Sequence, residues 1–247
     1  MLGTWMFCCF HFWATLSLIV AAGIKLWPII LLPFVLLAWH RYNPQNLVRR
    51  LLQTALLIAV GCLIMLPQIV GSVAPTSGIV VYSESWQTNA FLFGLIKSGF
   101  ETFTDIDADP LSRWSVVLCL AAFGLFRFRT RFLSRTRSRQ SKTSHQDLLA
   151  LTACLFFLSP TGYPWYMPWF SPWLVISPSL PLLLLAVTLP LYDLRYILAT
   201  DSNLFESVIV PLQFLPSLIW LAWQLIQGQL IQKQLKQNNN TVGSVSK

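Results

Sequence analysis

The feature that most constrains this chain is a series of long apolar stretches with almost no charge. Most are close to the ~17–25 residues that an α-helix needs to cross the hydrocarbon core of a membrane. A soluble domain of 247 residues would need more surface charge than the 11% of charged residues present here. The sequence therefore predicts an all-α, polytopic bundle of transmembrane helices. The clear candidate spans are residues 2–22, 24–40, 50–70, 111–128, 147–161 and 207–228.

The stretch from Tyr163 to Leu198 is too long for one span and short for two. The sequence Ser177-Pro178-Ser179 interrupts it near the middle, and proline combined with serine favours a turn. Dividing the stretch there gives two short spans, 164–177 and 180–197. The predicted total is then about eight spans within a transmembrane domain that covers residues 1–228.

The basic residues are grouped, and the groups test the number of spans. Most of the 17 lysines and arginines lie in three segments: residues 41–50, a basic loop at 127–146, and a tail at 229–247. With eight spans and a cytoplasmic amino terminus, all three segments face the cytoplasm, as the positive-inside rule requires. Both termini are then cytoplasmic, in what is expected to be a bacterial inner (plasma) membrane, and the loop at 71–110 faces outward.

The positions of the basic residues in the sequence also indicate their role. Because the basic residues lie between apolar runs, they are typical of membrane topology, and nucleic acid is not an expected partner. The basic loop either only holds the orientation of the chain or also binds anionic lipid head groups. The tail is polar, and its composition predicts disorder.

The outward loop contains Glu84, Trp86 and Asn89 just before an apolar stretch, NAFLFGLIKSGF. This stretch is too short to span and suits a helix that lies in the interface or re-enters the bundle. Trp86 is either an interface anchor or the stacking ring of a carbohydrate pocket, in which the glutamate and the asparagine would bind hydroxyl groups.

Farther along the same loop, Asp105, Asp107 and Asp109 form a D-x-D-x-D pattern. Alternate carboxylates can bind a divalent cation, or one of them can act as a general base. The segment lacks the glycine and the distal glutamate of a calcium loop. A simple solvated acidic loop is the other interpretation.

The segment SPTGYPWYMPWFSPW, residues 159–173, combines prolines, tryptophans and tyrosines without a single charge. Its prolines would break or bend a helix, and the backbone groups they release at membrane depth need partners. The segment is therefore either a loop that lines a cavity or part of an aromatic belt. Two basic residues at outward helix ends, Lys25 and Arg195, either snorkel to the interface or bind a lipid phosphate.

These residues resemble a known family. The late outward loop with Ser159, Pro160, Pro164, Trp165 and Tyr166, followed by two short helices and a final span, resembles the carboxyl-terminal half of GT-C superfamily glycosyltransferases. The resemblance is closest to the bacterial glycosyltransferase family 87 and related polyprenyl-phosphate-mannose-dependent mannosyltransferases. Lys25 with Pro28, and Trp86 with Asn89 ahead of NAFLFGL, are also similar to that family.

The resemblance implies a GT-C-like fold and a membrane-embedded enzyme. Such an enzyme takes a sugar, here expected to be mannose, from a polyprenyl-phosphate carrier on the non-cytoplasmic face and transfers it to a glycan or lipid acceptor. The family keeps its catalytic carboxylate in the first outward loop, but the corresponding turn here, AAGIKLWP, has no acidic residue. The catalytic residue is therefore unknown, and the chain is either a fragment without its catalytic half or a relative without the activity.

The expected partners are membrane lipid, the lipid-linked sugar donor and the acceptor; no cofactor is expected, and a divalent cation stays open. The alternative function is that of a non-catalytic polytopic membrane protein, such as a transporter or flippase component or an assembly subunit. The few ionisable residues within the spans argue against ion-coupled transport. The predicted substrate-binding residues are Lys25, Glu84, Trp86, Asn89, Tyr163, Trp165, Tyr166 and Arg195.

Overall fold

The structure, a computed structural model, describes residues 13–22, 27–35, 47–72, 86–133, 140–198 and 202–245. Within these ranges the chain is helical and forms no strand; Thr88 and Thr161 make one isolated bridge. The all-α prediction is confirmed. By its contacts the chain divides into two compact units, Met1–Gln87 with Leu92–Pro160 and Thr88–Phe91 with Thr161–Lys247.

The first unit contains most of the long helices. Helices α1 (Trp13–Ala22) and α2 (Leu47–Ser72) approach closely at Gly61, where a Cβ atom would lie 2.6 Å from Cγ2 of Ile19. Small residues allow such close backbone approach between helices in membranes. Helix α3 has 13 residues, or about 20 Å, so it is too short to cross the hydrocarbon core. The described helices of this unit are α1 (Trp13–Ala22), α2 (Leu47–Ser72), α3 (Phe91–Phe103, whose first residue belongs to the second unit), α4 (Ala108–Leu133) and α5 (Gln140–Leu158), with a 3₁₀ turn at Trp27–Leu31.

The start of α4 uses the acidic residues of the D-x-D-x-D pattern. The side chain of Asp107 accepts a hydrogen bond of 3.1 Å from the backbone N–H of Asp109, which is the arrangement of a helix N-cap. Asp109 forms ion pairs with Lys97 at 3.2 Å and with Arg113 at 3.9 Å. Two of the three aspartates therefore begin α4 and join it to α3.

Farther along α4, Arg127 forms an ion pair with Asp147 of α5. Asp147 is only 1% exposed, whereas the Arg127 side chain is 30% exposed, so only the carboxylate is fully removed from solvent. Helix α4 continues to Leu133 and α5 begins at Gln140, so helix occupies much of the predicted basic loop. Arginine, leucine and glutamine all have good helix propensity, which favours this extension.

The second unit is built from short helical pieces and one long helix. Helix α7 (Leu180–Thr188) packs against α9 (Val210–Val245), and Leu185 and Phe214 are buried in the core of this unit. A π-helical turn, Phe205–Ile209, leads into α9. The helices are α6 (Ser171–Ile176), α7 (Leu180–Thr188), α8 (Leu194–Ile197) and α9 (Val210–Val245), with 3₁₀ turns at Pro164–Trp169 and Leu189–Asp193 and a helical turn at Ser202–Leu204.

The backbone of α9 stays helical to Val245 and so enters the polar tail, for which composition predicts disorder. The reason lies in the residues that follow the apolar part. Glutamine, leucine and lysine dominate the segment 229–237, and all three are good helix formers. A helix already begun in the apolar segment therefore continues through polar residues without a new nucleation step.

Among the described residues, three helical segments are long and apolar enough to cross a membrane: Ala108–Thr130, Leu180–Ile197 and Phe205–Gln227. Their surfaces agree with this, because large apolar side chains such as Trp114, Leu118 and Leu125 on α4 are about two-thirds exposed. An exposed apolar stripe of this kind suits lipid as the surrounding solvent. These segments support the prediction of an integral membrane protein.

The predicted span over 164–177 is not a continuous helix. It consists of the 3₁₀ turn Pro164–Trp169 and helix α6, which together extend about 20 Å, less than the ~30 Å of hydrocarbon. The prolines are the cause, since Pro164, Pro168 and Pro172 each lack a backbone N–H.

Candidate functional site

The segment 163–170 is held in a tight 3₁₀ conformation. The backbone N–H of Tyr166 donates to the carbonyl of Tyr163 at 3.0 Å, and that of Phe170 donates to the carbonyl of Met167 at 3.1 Å. Pro164 stands in the first turn, where a missing N–H costs nothing. Three residues per turn bring the side chains of Tyr163 and Tyr166 to the same side of this segment.

Aromatic rings from two distant segments meet beside this 3₁₀ turn. The rings of Tyr163 and Trp165 are stacked, with centroids 4.4 Å apart. Tyr192, from the 3₁₀ turn Leu189–Asp193, stands perpendicular to both, at 5.7 Å from Tyr163 and 5.8 Å from Trp165. Stacked and perpendicular pairs at these distances are the favoured arrangements of aromatic rings.

The cluster continues to either side. Tyr166 lies perpendicular to Tyr163 at 5.5 Å and stacks on Trp169 at 4.3 Å. On the other side Tyr196 contacts the Tyr192 ring at 6.3 Å. We call Tyr163, Trp165, Tyr192, Arg195 and Tyr196 the aromatic face.

The aromatic face combines an exposed ring with an exposed cation. Trp165 is 56% exposed and Tyr196 is 69% exposed, whereas Tyr192 between them is only 3% exposed. Arg195 is exposed, and its guanidinium donates a hydrogen bond of 3.4 Å to the Tyr192 hydroxyl. An exposed ring can stack on an apolar sugar face, and a guanidinium can bind a phosphate.

Asn89 lies next to the start of this loop. Its backbone has a φ of 51°, in the left-handed region that asparagine tolerates better than most residues. Its side-chain amide donates hydrogen bonds to the Gly162 carbonyl at 2.6 Å and to Oε1 of Gln213 at 3.0 Å. In return the Gly162 N–H donates to the Thr88 carbonyl at 3.0 Å. The segments 88–89 and 161–162 are thereby held side by side.

Gly162 is required by this close approach. A Cβ atom at this position would collide with the Asn89 carbonyl oxygen and would lie 3.0 Å from Cζ of Phe214. Because the obstacle is backbone on one side, a rotamer change cannot relieve the collision.

The structure brings four of the predicted substrate-binding residues together. Tyr163, Trp165 and Arg195 belong to the aromatic face, and Tyr166 contacts it through Tyr163. Asn89 is in the same unit but is only 6% exposed, so its amide serves internal hydrogen bonds.

The remaining predicted residues are not part of this group: one belongs to the first unit, and two are not among the described residues. Trp86 belongs to the first unit, where its ring is 46% exposed and its carbonyl accepts a hydrogen bond of 3.4 Å from Arg113. Lys25 and Glu84 lie outside the described residues.

Sequence reasoning missed three residues of the site: Tyr192, Tyr196 and Gln213. Gln213 is fully buried within an apolar span, and an uncharged amide in such a sequence, PLQFLPSLIW, is itself a signal of an internal polar contact. Tyr192 and Tyr196 gave a weaker signal, which was their positions three residues before and one residue after Arg195.

The D-x-D-x-D pattern was considered above as a divalent-cation site. Among the residues that the structure describes, no three His, Cys, Asp or Glu side chains lie close enough together to hold a metal ion. Asp105 remains exposed beside the start of α4. The described geometry therefore gives the D-x-D-x-D segment a part in the helix start and in ion pairing.

Comparison with family models, curated proteins and solved structures finds no match to this chain. The similarity to GT-C glycosyltransferases thus stays a prediction that depends on short motifs. What the chain binds has to be inferred from the geometry of the aromatic face and from its chemistry.

Proposed function

We propose that this chain is a membrane-embedded, GT-C-type glycosyltransferase-like protein that binds a polyprenyl-phosphate-linked sugar, with mannose as the expected sugar. The observation that carries the proposal is the combination of exposed Trp165 and exposed Arg195 around the buried ring of Tyr192. The donor would supply the sugar for the ring and the phosphate for the guanidinium.

Each part of such a donor has a chemical counterpart here. The apolar C–H face of the sugar stacks on Trp165, and the phosphate accepts charge-assisted hydrogen bonds from Arg195. The polyprenyl chain needs an apolar surface, and Ile197 and Val187 are each 77% exposed in the same candidate span. A ring, a cation and an apolar surface in one short region favour a lipid-linked sugar over a free sugar.

Sugar transfer would also require a carboxylate to activate the acceptor hydroxyl. The first predicted outward turn, AAGIKLWP, contains none. The proposal therefore assigns donor binding to the residues of this chain. Transfer to a glycan or lipid acceptor is a separate activity, to be measured separately.

The proposal includes an orientation. The chain is expected to have about eight spans, with the short, broken segment 164–177 counted as one of them, both termini in the cytoplasm and the aromatic face near the outer side of a bacterial inner membrane. The support is the grouping of lysines and arginines in residues 41–50, 127–146 and 229–247, which the positive-inside rule assigns to the cytoplasm.

Binding can be tested with the full chain in lipid nanodiscs and polyprenyl-phosphate-mannose as the probe. Trp165→Ala is expected to weaken binding about tenfold, because it removes the stacking ring. Trp223→Ala is the matched control, since Trp223 is 51% exposed on α9 but is not part of the aromatic face. Equal binding by the wild type and both variants, or no binding of any polyprenyl-phosphate sugar by the wild type, would contradict the proposal.

A further inference from the structure

The aromatic face is assembled from two segments that are far apart in the sequence. One segment carries Tyr163 and follows Gly162 directly; the other is the 3₁₀ turn that carries Tyr192 and follows Thr188. The relative position of these segments determines whether the Trp165 ring and the Arg195 guanidinium can contact one ligand at the same time. Something must therefore fix the spacing of the two segments.

Hydrogen bonds from both segments converge on Gln213. On one side, the Asn89 amide donates to the Gly162 carbonyl at 2.6 Å and to Oε1 of Gln213 at 3.0 Å. On the other side, the Thr188 hydroxyl lies 2.7 Å from the Gln213 carbonyl oxygen, its nearest acceptor, and can donate to it; the Leu184 and Leu185 carbonyls of its own helix lie at 3.0 and 3.2 Å. A continuous path of hydrogen bonds thus connects the residue before Tyr163 with the residue before the Tyr192 turn.

The geometry defines the orientation of the Asn89 amide. Its nitrogen faces two acceptors, so a flipped amide would place two oxygens 2.6 Å apart at Gly162. Both amides are buried, and hydrogen bonds in such surroundings are strong and directional.

The buried amides of Asn89 and Gln213 are a poor source of folding stability. One atom of each amide, Oδ1 of Asn89 and Nε2 of Gln213, has no hydrogen-bond partner in the described part of the chain. Buried polar atoms without partners are costly, and apolar residues of similar shape would avoid that cost. Positional control is a better physical account of the pair than stabilisation.

We propose that the buried Asn89–Gln213 amide pair, together with Thr188, sets the spacing of the two sides of the aromatic face, so that these three are positioning residues for the ligand. The proposal depends on the proposed function only for the identity of the ligand. The spacing itself is a property of the chain that can be measured without any ligand.

The experiment uses 3-fluorotyrosine at position 163 of the full chain in lipid nanodiscs. Its fluorine resonance senses the ring current of Trp165, which stacks on Tyr163 at 4.4 Å, and of the adjacent Tyr192. Thr188→Val removes the hydroxyl with little change in shape, whereas Thr188→Ser retains it. Asn89→Gly removes the amide but tolerates the positive φ, so it separates hydrogen bonding from backbone strain.

Thr188→Val and Asn89→Gly are expected to shift or broaden the fluorine resonance and to weaken binding of polyprenyl-phosphate-mannose about tenfold. Thr188→Ser is expected to leave both unchanged. A purely structural role would instead lower the melting temperature, with the resonance and the affinity of the folded protein unchanged, and that result would overturn the proposal.

The two proposals fail in different ways. If the variants change the resonance but the wild type binds no polyprenyl-phosphate sugar, the positioning role stands and the proposed function is contradicted. If the wild type binds the sugar and neither variant changes the resonance or the affinity, the positioning role is contradicted and the function stands. Should Asn89→Gly fail to fold, the comparison of Thr188→Val with Thr188→Ser decides by the same criteria.

Discussion

At the scale of single residues, the proposed ligand is shared between two exposed side chains with different chemistry. Trp165 offers an apolar ring, and Arg195 offers a charge with several N–H donors. Only the second contact depends on the phosphate of the ligand. Substitutions at the two positions should therefore be distinguishable by changing the ligand as well as the protein.

Arg195→Gln is expected to weaken binding of polyprenyl-phosphate-mannose about ten- to a hundredfold, because a hydrogen bond to a charged group contributes about 1.5–3 kcal/mol. Arg195→Lys retains the charge and should weaken it less. The measurement is a titration in nanodiscs with this donor and with a mannosyl polyprenol that has no phosphate. An equal loss for the two ligands would show that Arg195 does not bind the phosphate.

Gly162→Ala is expected to destabilise the protein by about 1–3 kcal/mol, because the new methyl group meets the Asn89 backbone. Gly99→Ala is the matched control, since nothing lies within 4 Å of a Cβ atom built at Gly99. In helix α3 that change should be neutral or stabilise by up to about 1 kcal/mol. Thermal unfolding in detergent compares the two variants, and an unchanged melting temperature for Gly162→Ala would refute the close approach.

At the scale of helices, ion pairs connect elements whose remaining surfaces are mostly apolar. Asp109 joins α4 to α3 through Lys97, and Arg127 joins α4 to α5 through Asp147. Apolar side chains gain little from contact with each other when the alternative is lipid. Polar contacts of this kind therefore have a large part in deciding which helices are neighbours.

Removal of the Arg127–Asp147 ion pair tests whether a polar contact stabilises the packing of α4 against α5. Asp147→Asn should destabilise by about 1–3 kcal/mol, below the ~3–5 kcal/mol typical of fully buried pairs, because the Arg127 side chain stays 30% exposed. Arg127→Met should cost more, nearer ~3–5 kcal/mol, because it leaves the buried Asp147 carboxylate without this cation, and the double variant should cost less than the sum of both. Exposed Arg129→Met is the control on the same helix. Strict additivity in chemical unfolding would indicate that the two side chains do not interact.

At the scale of the whole molecule, local sequence features predicted more than long-range ones. Apolar runs predicted the helical class, and the prolines of 159–173 predicted that the backbone would leave the α-helical conformation there. The pairing of Tyr163 with Tyr192 joins positions nearly thirty residues apart, and no local pattern indicates it. Asn89 was expected at a sugar pocket because of its neighbours in the sequence, yet its amide is buried against Gly162. Burial depends on what packs on a residue, which sequence proximity does not reveal.

The orientation of the whole chain can be tested with single cysteines in a variant whose five native cysteines are replaced by serine. With eight spans, a membrane-impermeant maleimide applied to intact cells should label Asn203→Cys but neither Ser138→Cys nor Ser246→Cys. Permeabilised cells should give labelling at all three positions, which controls for reactivity. Labelling of Ser246→Cys in intact cells would place the carboxyl terminus outside and would exclude an even number of spans with a cytoplasmic amino terminus.

The π-helical turn Phe205–Ile209 has a consequence for how chains of this kind can vary in length. A π turn contains one residue more than the α-helix around it needs, so deletion of one residue there can restore ordinary α-helical hydrogen bonding. Between this turn and Gln213, a one-residue deletion would rotate the following residues by about 100° and turn Gln213 away from Asn89. Natural relatives, when they are aligned, should therefore show single-residue gaps within this turn and an uninterrupted helix after it.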